Sequence, residues 1–419
     1  MIKMDSFVVR GGRRLAGTVR VSGSKNAALP CLFATLLTDE VCVLENVPDL
    51  EDIRTALRLL EGLGKKTEVH SGTVTLRQRR PLTSKAPYDL VRRMRASAVV
   101  MGPLLARLGH ADVSLPGGCA IGARPINYHL KAFETMGARV TVKEGYISAR
   151  GRLVGKRVVL PFPSVGATEN VMMAATLAKG TTVIENAARE PEIVDLANML
   201  VQMGASVSGA GTSRVVVEGC RALGGCRHRV IPDRIEAGTF LVAAAITRGR
   251  VRLTDVNPQD LSVVLAKLKR AGVQIIRDKN TVEAVWVKPL RSVSIKTKVH
   301  PGFPTDMQAQ WMALMAVTPG RCVIEEDIFE NRFLHAQELT RMSARVDTRG
   351  SRAVVEGVKS LSGCPLMVSD LRAGAALVLA GLAAKGTTRV LRVYHLDRGY
   401  EKLEQKLRSL GADIRRVRL

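Results

Sequence analysis

The chain has 419 residues, 46% of them hydrophobic, and sets 63 Lys and Arg against 38 Asp and Glu for a formal net charge of +25. That length exceeds one ordinary domain, and the composition is that of a well-buried globular protein with an appetite for anions. Aromatics make up only 4% and the basic residues are dispersed, which argues against nucleic acid as the main partner, since that would call for basic clusters interleaved with stacking rings.

The opening, MIKMDSFVVRGGRRL, has no apolar core of the signal-peptide kind. The stretch from Asp5 to Val21 reads as a strand preceding everything else. From Ser24 onward the chain repeats itself. Six apolar, alanine-rich helices are predicted, beginning SKNAALPCLFATLL at Ser24, RASAVVMGPLLARL at Arg95 and SVGATENVMMAATLA at Ser164. The others are DRIEAGTFLVAAAI at Asp233, TDMQAQWMALMAV at Thr305 and DLRAGAALVLAGLA at Asp370. None has a clear polar face, so all six are expected to be buried on every side.

In most copies a short β-type segment follows, such as Thr181–Ile184 or Val251–Thr254, then a polar junction and a second, amphipathic helix. Those second helices stop on Gly64, Gly137, Gly204, Gly272, Ser343 and Gly411, markers that recur every 67 to 73 residues. Glycine just past the last turn is a common helix stop. Units of this size group naturally in threes, with helices inside and sheets outside, and the cut falls near Val230 to Pro232. The pattern alone leaves open which half the N-terminal strand completes.

Charged residues gather where the buried helices begin: Lys25 with Asn26, Arg95, Asp233, Asp306, and Asp370 with Arg372. Asp233 reads as an N-cap. Lysine and arginine there face the positive end of a helix and call for a compensating anion. The second junctions add Arg124, Arg189, Arg332 and Arg398, and with Arg124 comes a thiol, Cys119, in the glycine-rich LPGGCAIGARP. Cationic neighbours lower a thiol's pKa, so Cys119 is the candidate nucleophile or general acid. The other six cysteines read as inert thiols of a reducing cytoplasm. No CxxC, HExxH or HxH pattern occurs, so no catalytic metal and no cofactor are expected.

At SGSKNAALP, MRAS, PGGCAIGARP, SVGAT, ENAAREPEIVD, FPTDMQAQ, ENRF, DLRA and YHLDRGYE the chain resembles the UDP-N-acetylglucosamine 1-carboxyvinyltransferases, from about Gly17 to the C-terminus. The resemblance implies an α/β fold: two inside-out α/β barrel domains, each of three pseudo-symmetric repeats, with the active site in the cleft between them. It joins residues 1–21 to 232–419 in one discontinuous domain and leaves 22–231 as the other, which carries Cys119.

It implies transfer of enolpyruvyl from phosphoenolpyruvate to the 3-hydroxyl of UDP-N-acetylglucosamine with loss of phosphate, a cytoplasmic step that opens peptidoglycan synthesis and that fosfomycin blocks. By the same resemblance Cys119 protonates the enol carbon, and Lys25, Asn26, Arg124 and Arg398 hold phosphoenolpyruvate. Arg95, Arg124, Pro125, Ile126, Asn127, Tyr128, Ser164, Val165, Gly166 and Ile328 line the nucleotide-sugar site. Asp306 is the base, and Asp370 and Arg372 assist charge redistribution and closure; Arg332 joins the binding set. Two positions depart from the family pattern, Asn127 where Asp is frequent and Phe162 where some members have Lys. Three alternatives stand beside this reading: shikimate 3-phosphate as acceptor, another nucleotide as acceptor, or a basic nucleic-acid-binding protein on this scaffold.

Overall fold

A computed structural model describes residues 5–86, 88–91, 94–115 and 126–418. The chain forms two compact units. One contains residues up to 22 and those from 232 onward; the other is built from described residues between 23 and 231. Among the described residues no helix is long and apolar enough to cross a membrane.

One four-strand plan recurs through both units. The strand that follows a buried helix lies between a parallel strand on one side and an antiparallel hairpin on the other. In the first unit Arg250–Thr254 has Ala16–Arg20 parallel to it and the hairpin Val273–Asp278/Thr281–Trp286 beyond. Arg321–Glu325 is flanked in the same way by Ile295–Lys296 and by Arg345–Arg349/Arg352–Glu356. In the sixth copy the hairpin position is filled from the other end of the chain. Ser6–Arg10 inserts antiparallel between Thr387–Leu391 and Asp413–Val417, with Pro365–Met367 on the parallel side. The N-terminal stretch read as one strand is therefore two, Ser6–Arg10 and Ala16–Arg20, serving different sheets.

The second unit repeats the scheme. Cys42–Glu45 takes its parallel partner, Cys226–Arg229, from the far end of the unit. Thr181–Glu185 pairs with Arg157–Val159 and Arg214–Glu218. The third sheet has three strands, His110–Ser114, Tyr146–Arg150 and Arg139–Lys143, and an isolated parallel bridge from Lys85 to Asp112 marks the place of the fourth.

Burial matches the expectation for most of the first helices, although Ala106, Arg107 and Leu108 of Met101–Leu108 are only partly buried. In Arg234–Ile246 every residue from Ile235 on is buried, as is the whole of Gln308–Ala316. Two copies depart from a plain α-helix: 3-10 turns at Arg95–Val100 and Thr305–Met307 lead into Met101–Leu108 and Gln308–Ala316. The helix stops behave as predicted, with Gly64, Gly137, Gly204, Gly272 and Gly411 all at positive φ. Ser343, standing where the others have glycine, is held at φ 72°.

Candidate active site

In the first unit the starts of two buried helices and the junction before an amphipathic one converge on one carboxylate. Asp306 lies in the 3-10 turn ahead of Gln308–Ala316. Its Oδ1 accepts from Arg332 Nη2 at 2.7 Å, and its Oδ2 from Arg372 Nε at 3.1 Å and Nη2 at 3.0 Å. Both guanidinium side chains are 4% exposed, whereas Asp306 is 26% exposed. Two buried cations share this carboxylate, and Arg372 Nη1 has no hydrogen-bond partner among the described residues.

Arg372 lies 5.3 Å from the centre of the Tyr400 ring. That ring is pinned in turn, since Tyr400 Oη meets Thr239 Oγ1 at 3.0 Å and Gln310 Nε2 at 3.1 Å. Burial works against the Arg372 charge, but Asp306, Tyr400 and Asp233 outweigh it and hold the guanidinium more firmly protonated than usual.

Asp370 accepts from the backbone N–H groups of Arg372 at 2.9 Å and Ala373 at 3.1 Å, capping Leu371–Ala383. Asp233 caps Arg234–Ile246 in the same way, as predicted. Arg398 ends the 3-10 segment Val393–Arg398. Burial lowers the pKa of the neighbouring His395, and the charges of Arg398 and Arg392 push it the same way. Ile328 is placed by Glu326, a buried carboxylate that accepts from Ile328 N at 2.9 Å, Thr297 Oγ1 at 2.9 Å and Thr305 Oγ1 at 2.7 Å. Glu326 thereby ties the Ile328 segment to the residue next to Asp306.

In the second unit Lys25 opens the helix Lys25–Ala34, with Ser24 as its cap and Asn26 beside it. Lys25 Nζ lies 3.3 Å from Asp52 Oδ2, at side-chain exposures of 13% and 6%. The compensating anions called for by Lys25 and Arg372 are thus present in the protein itself, as Asp52 and Asp306. Ser164 caps Val165–Ala175, and its hydroxyl accepts from Ala167 N.

The helix Asn127–Thr135 starts alongside, with Ile126 at its cap position, Asn127 exposed and Tyr128 half-buried. A Cβ on Gly166 would come within 3.3 Å of the His129 ring. One buried side chain holds this corner together. Asn170 donates through Nδ2 to Ala98 O at 3.1 Å and to His129 Nδ1 at 2.9 Å, and its Oδ1 accepts from Gly102 N at 2.6 Å. It anchors the Arg95–Val100 turn, the Asn127–Thr135 helix and the Ser164 helix start to one another. Cys119, Arg124, Pro125 and the side chain of Arg95 lie outside the described residues. Phe162 is 38% exposed, and Arg189 is exposed with its backbone N–H on Glu190.

Three comparisons with known proteins bear on this geometry. The family model described as EPSP synthase (3-phosphoshikimate 1-carboxyvinyltransferase) matches residues 9–407. A UDP-N-acetylglucosamine 1-carboxyvinyltransferase of Endomicrobium trichonymphae is 58% identical over 414 residues, covering 98% of this chain and 99% of that protein. One from Geotalea daltonii is 54% identical over 415 residues, 99% of this chain and all of its own.

The chain belongs to the UDP-N-acetylglucosamine 1-carboxyvinyltransferase family.

Solved structures agree on the fold. The enolpyruvyl transferase NikO from Streptomyces tendae superposes with a TM-score of 0.90 at 26% identity over the whole of both chains. EPSP synthase from Acinetobacter baumannii gives 0.77 at 18% identity over 99% of this chain. Within this family frame, sequence reasoning passed over Asp52, Glu326, Tyr400 and Asn170. Asn170 left a trace, a lone amide inside the apolar run VGATENVMMAA. The others become visible only once distant segments meet.

Proposed function

We propose that the enzyme transfers the enolpyruvyl group of phosphoenolpyruvate to the 3-hydroxyl of UDP-N-acetylglucosamine and releases phosphate. Full-length identity of 54–58% to proteins carrying that activity in their names supports the choice of acceptor. In chemical terms, the acceptor oxygen bonds to C2 of the donor while a proton is delivered to C3. The resulting tetrahedral adduct then loses that C3 proton, re-forms the double bond and expels phosphate. Cys119 is assigned as the C3 proton donor. Asp306, half-emergent between two buried guanidiniums, is assigned to the acceptor hydroxyl, and Arg372 with Asp370 to the charge that develops there.

Lys25, Asn26, Arg124 and Arg398 are assigned to the phosphate and carboxylate of the donor. Arg95, Arg124 to Tyr128, Ser164 to Gly166 and Ile328 are assigned to the nucleotide sugar, with Arg332 orienting Asp306. The positive N-terminal end of Val165–Ala175 suits a diphosphate. Phosphate release from phosphoenolpyruvate is expected with UDP-N-acetylglucosamine and not with shikimate 3-phosphate. The opposite pattern overturns the proposal. In a separate test, the epoxide phosphonate fosfomycin should label Cys119 alone among the seven cysteines, as peptide mass mapping would read.

A further inference from the structure

Inside the second unit, three side chains from three elements meet in the core. Cys31 comes from the helix Lys25–Ala34, Asp195 from Pro191–Gln202 and His228 from the strand Cys226–Arg229. One donor atom from each lies within 4.8 Å of the other two, and all three residues are buried. The closest approaches are 3.0 Å from His228 Nε2 to Asp195 Oδ1 and 3.8 Å from Cys31 Sγ to Asp195 Oδ2. Around a tetrahedral Zn²⁺, bonds of about 2.0 Å to N or O and 2.3 Å to S put neighbouring ligand atoms about 3.3–3.5 Å apart. These two approaches, each to a different oxygen of Asp195, lie within about half an ångström of those spacings, and the full trio fits inside 4.8 Å. None of the three belongs to the residues assigned to the transfer reaction.

We infer that Cys31, Asp195 and His228 form a structural site for a zinc-like divalent ion that staples the two helices to the strand. A thiolate, an imidazole and one carboxylate form a donor set that favours Zn²⁺ or Co²⁺ over Mg²⁺ or Ca²⁺, which prefer all-oxygen cages. The charges also balance, since a thiolate and a carboxylate neutralise a divalent ion and leave no net charge in the core.

Without an ion the trio is held by hydrogen bonds. Burial, followed by the charges of Asp195 and Glu169, raises the Cys31 thiol well above its ordinary pKa and keeps it protonated. Binding must therefore expel the Cys31 proton. The site is closed, and loading takes place as the chain folds.

The test uses the full-length protein purified without chelators from cells grown with zinc, and separately with cobalt. Elemental analysis should find one equivalent of zinc per chain in the wild type and in Cys119→Ser, and none in Cys31→Ala or His228→Phe. The cobalt form should show a thiolate-to-cobalt charge-transfer band that disappears with Cys31→Ala. Wild-type protein carrying no metal overturns the proposal, and that measurement needs no variant to fold. A band that survives Cys31→Ala and vanishes with Cys119→Ser overturns it too, by placing the ion on the reactive thiol.

Discussion

At Asp306 one carboxylate serves two guanidiniums that are almost wholly buried. Truncation to alanine strands both cations, and breaking a buried pair from one side costs about 3–5 kcal/mol. Asp306→Ala is therefore expected to lower the melting temperature as well as turnover, which makes it a poor probe of chemistry. Asp306→Asn keeps the shape and one acceptor oxygen; it should lose turnover by orders of magnitude while melting closer to the wild type. Calorimetry and kcat on both variants separate the two roles, and wild-type kcat in Asp306→Asn would remove the base assignment. Ser343 carries the opposite kind of defect, since a left-handed non-glycine residue costs about 1–2 kcal/mol. Ser343→Gly relieves that cost but adds freedom to the unfolded chain, so a net gain of about 0.5–1 kcal/mol is expected in denaturant unfolding. Unchanged or lower stability would mean that the serine has a compensating contact.

Single elements show why some of the site was legible and some was not. Lys25 and Arg372 stood out because a cation at the mouth of an apolar helix breaks a local rule, and local rules can be read along the chain. Asn170 and Tyr400 break no local rule strongly enough. Their importance lies in partners 41 to 161 residues away. The helix Met101–Leu108 illustrates the same limit. Gly102 looks like a weak point in a helix, yet an added Cβ would sit 2.3 Å from Asn170 O and 2.5 Å from its Oδ1. The glycine is there to let two helices touch. Gly102→Ala should cost about 1–3 kcal/mol through overpacking against backbone that cannot retreat. Because Asn170 also holds His129 beside Gly166, the variant should raise KM for the nucleotide sugar more than KM for phosphoenolpyruvate. Equal changes in both constants would detach Asn170 from the acceptor site.

For the whole molecule, the sixfold period was plain in the sequence because it rests on spacing and hydrophobicity. Which strand closes which sheet was not, since Ser6–Arg10 finds its partners beyond residue 386. Nor could spacing gather Cys31, Asp195 and His228. Two buried titrating groups give the fold pH responses of opposite sign, one in each unit. In the first, burial lowers His335 to about 4 and nearby Arg332 pushes the same way, although Asp370 pulls against them. Between about 6.5 and 4 only the unfolded chain takes up that proton, so acid removes up to roughly 3 kcal/mol of stability across this window. In the second unit, burial and the charges of Glu192 and Glu190 push Glu169 well above the usual carboxyl range. There the folded chain keeps a proton that the unfolded chain gives up, so this group's contribution is intact at low pH and is lost as pH rises past about 4.5. Glutamine is neutral at both sites. His335→Gln should therefore gain on the wild type as pH falls from 6.5, and Glu169→Gln should gain on it as pH rises from 4.5. Denaturation midpoints of the three proteins from pH 4.5 to 8 decide the matter, and a variant curve running parallel to the wild type excludes that residue as a source of the pH response.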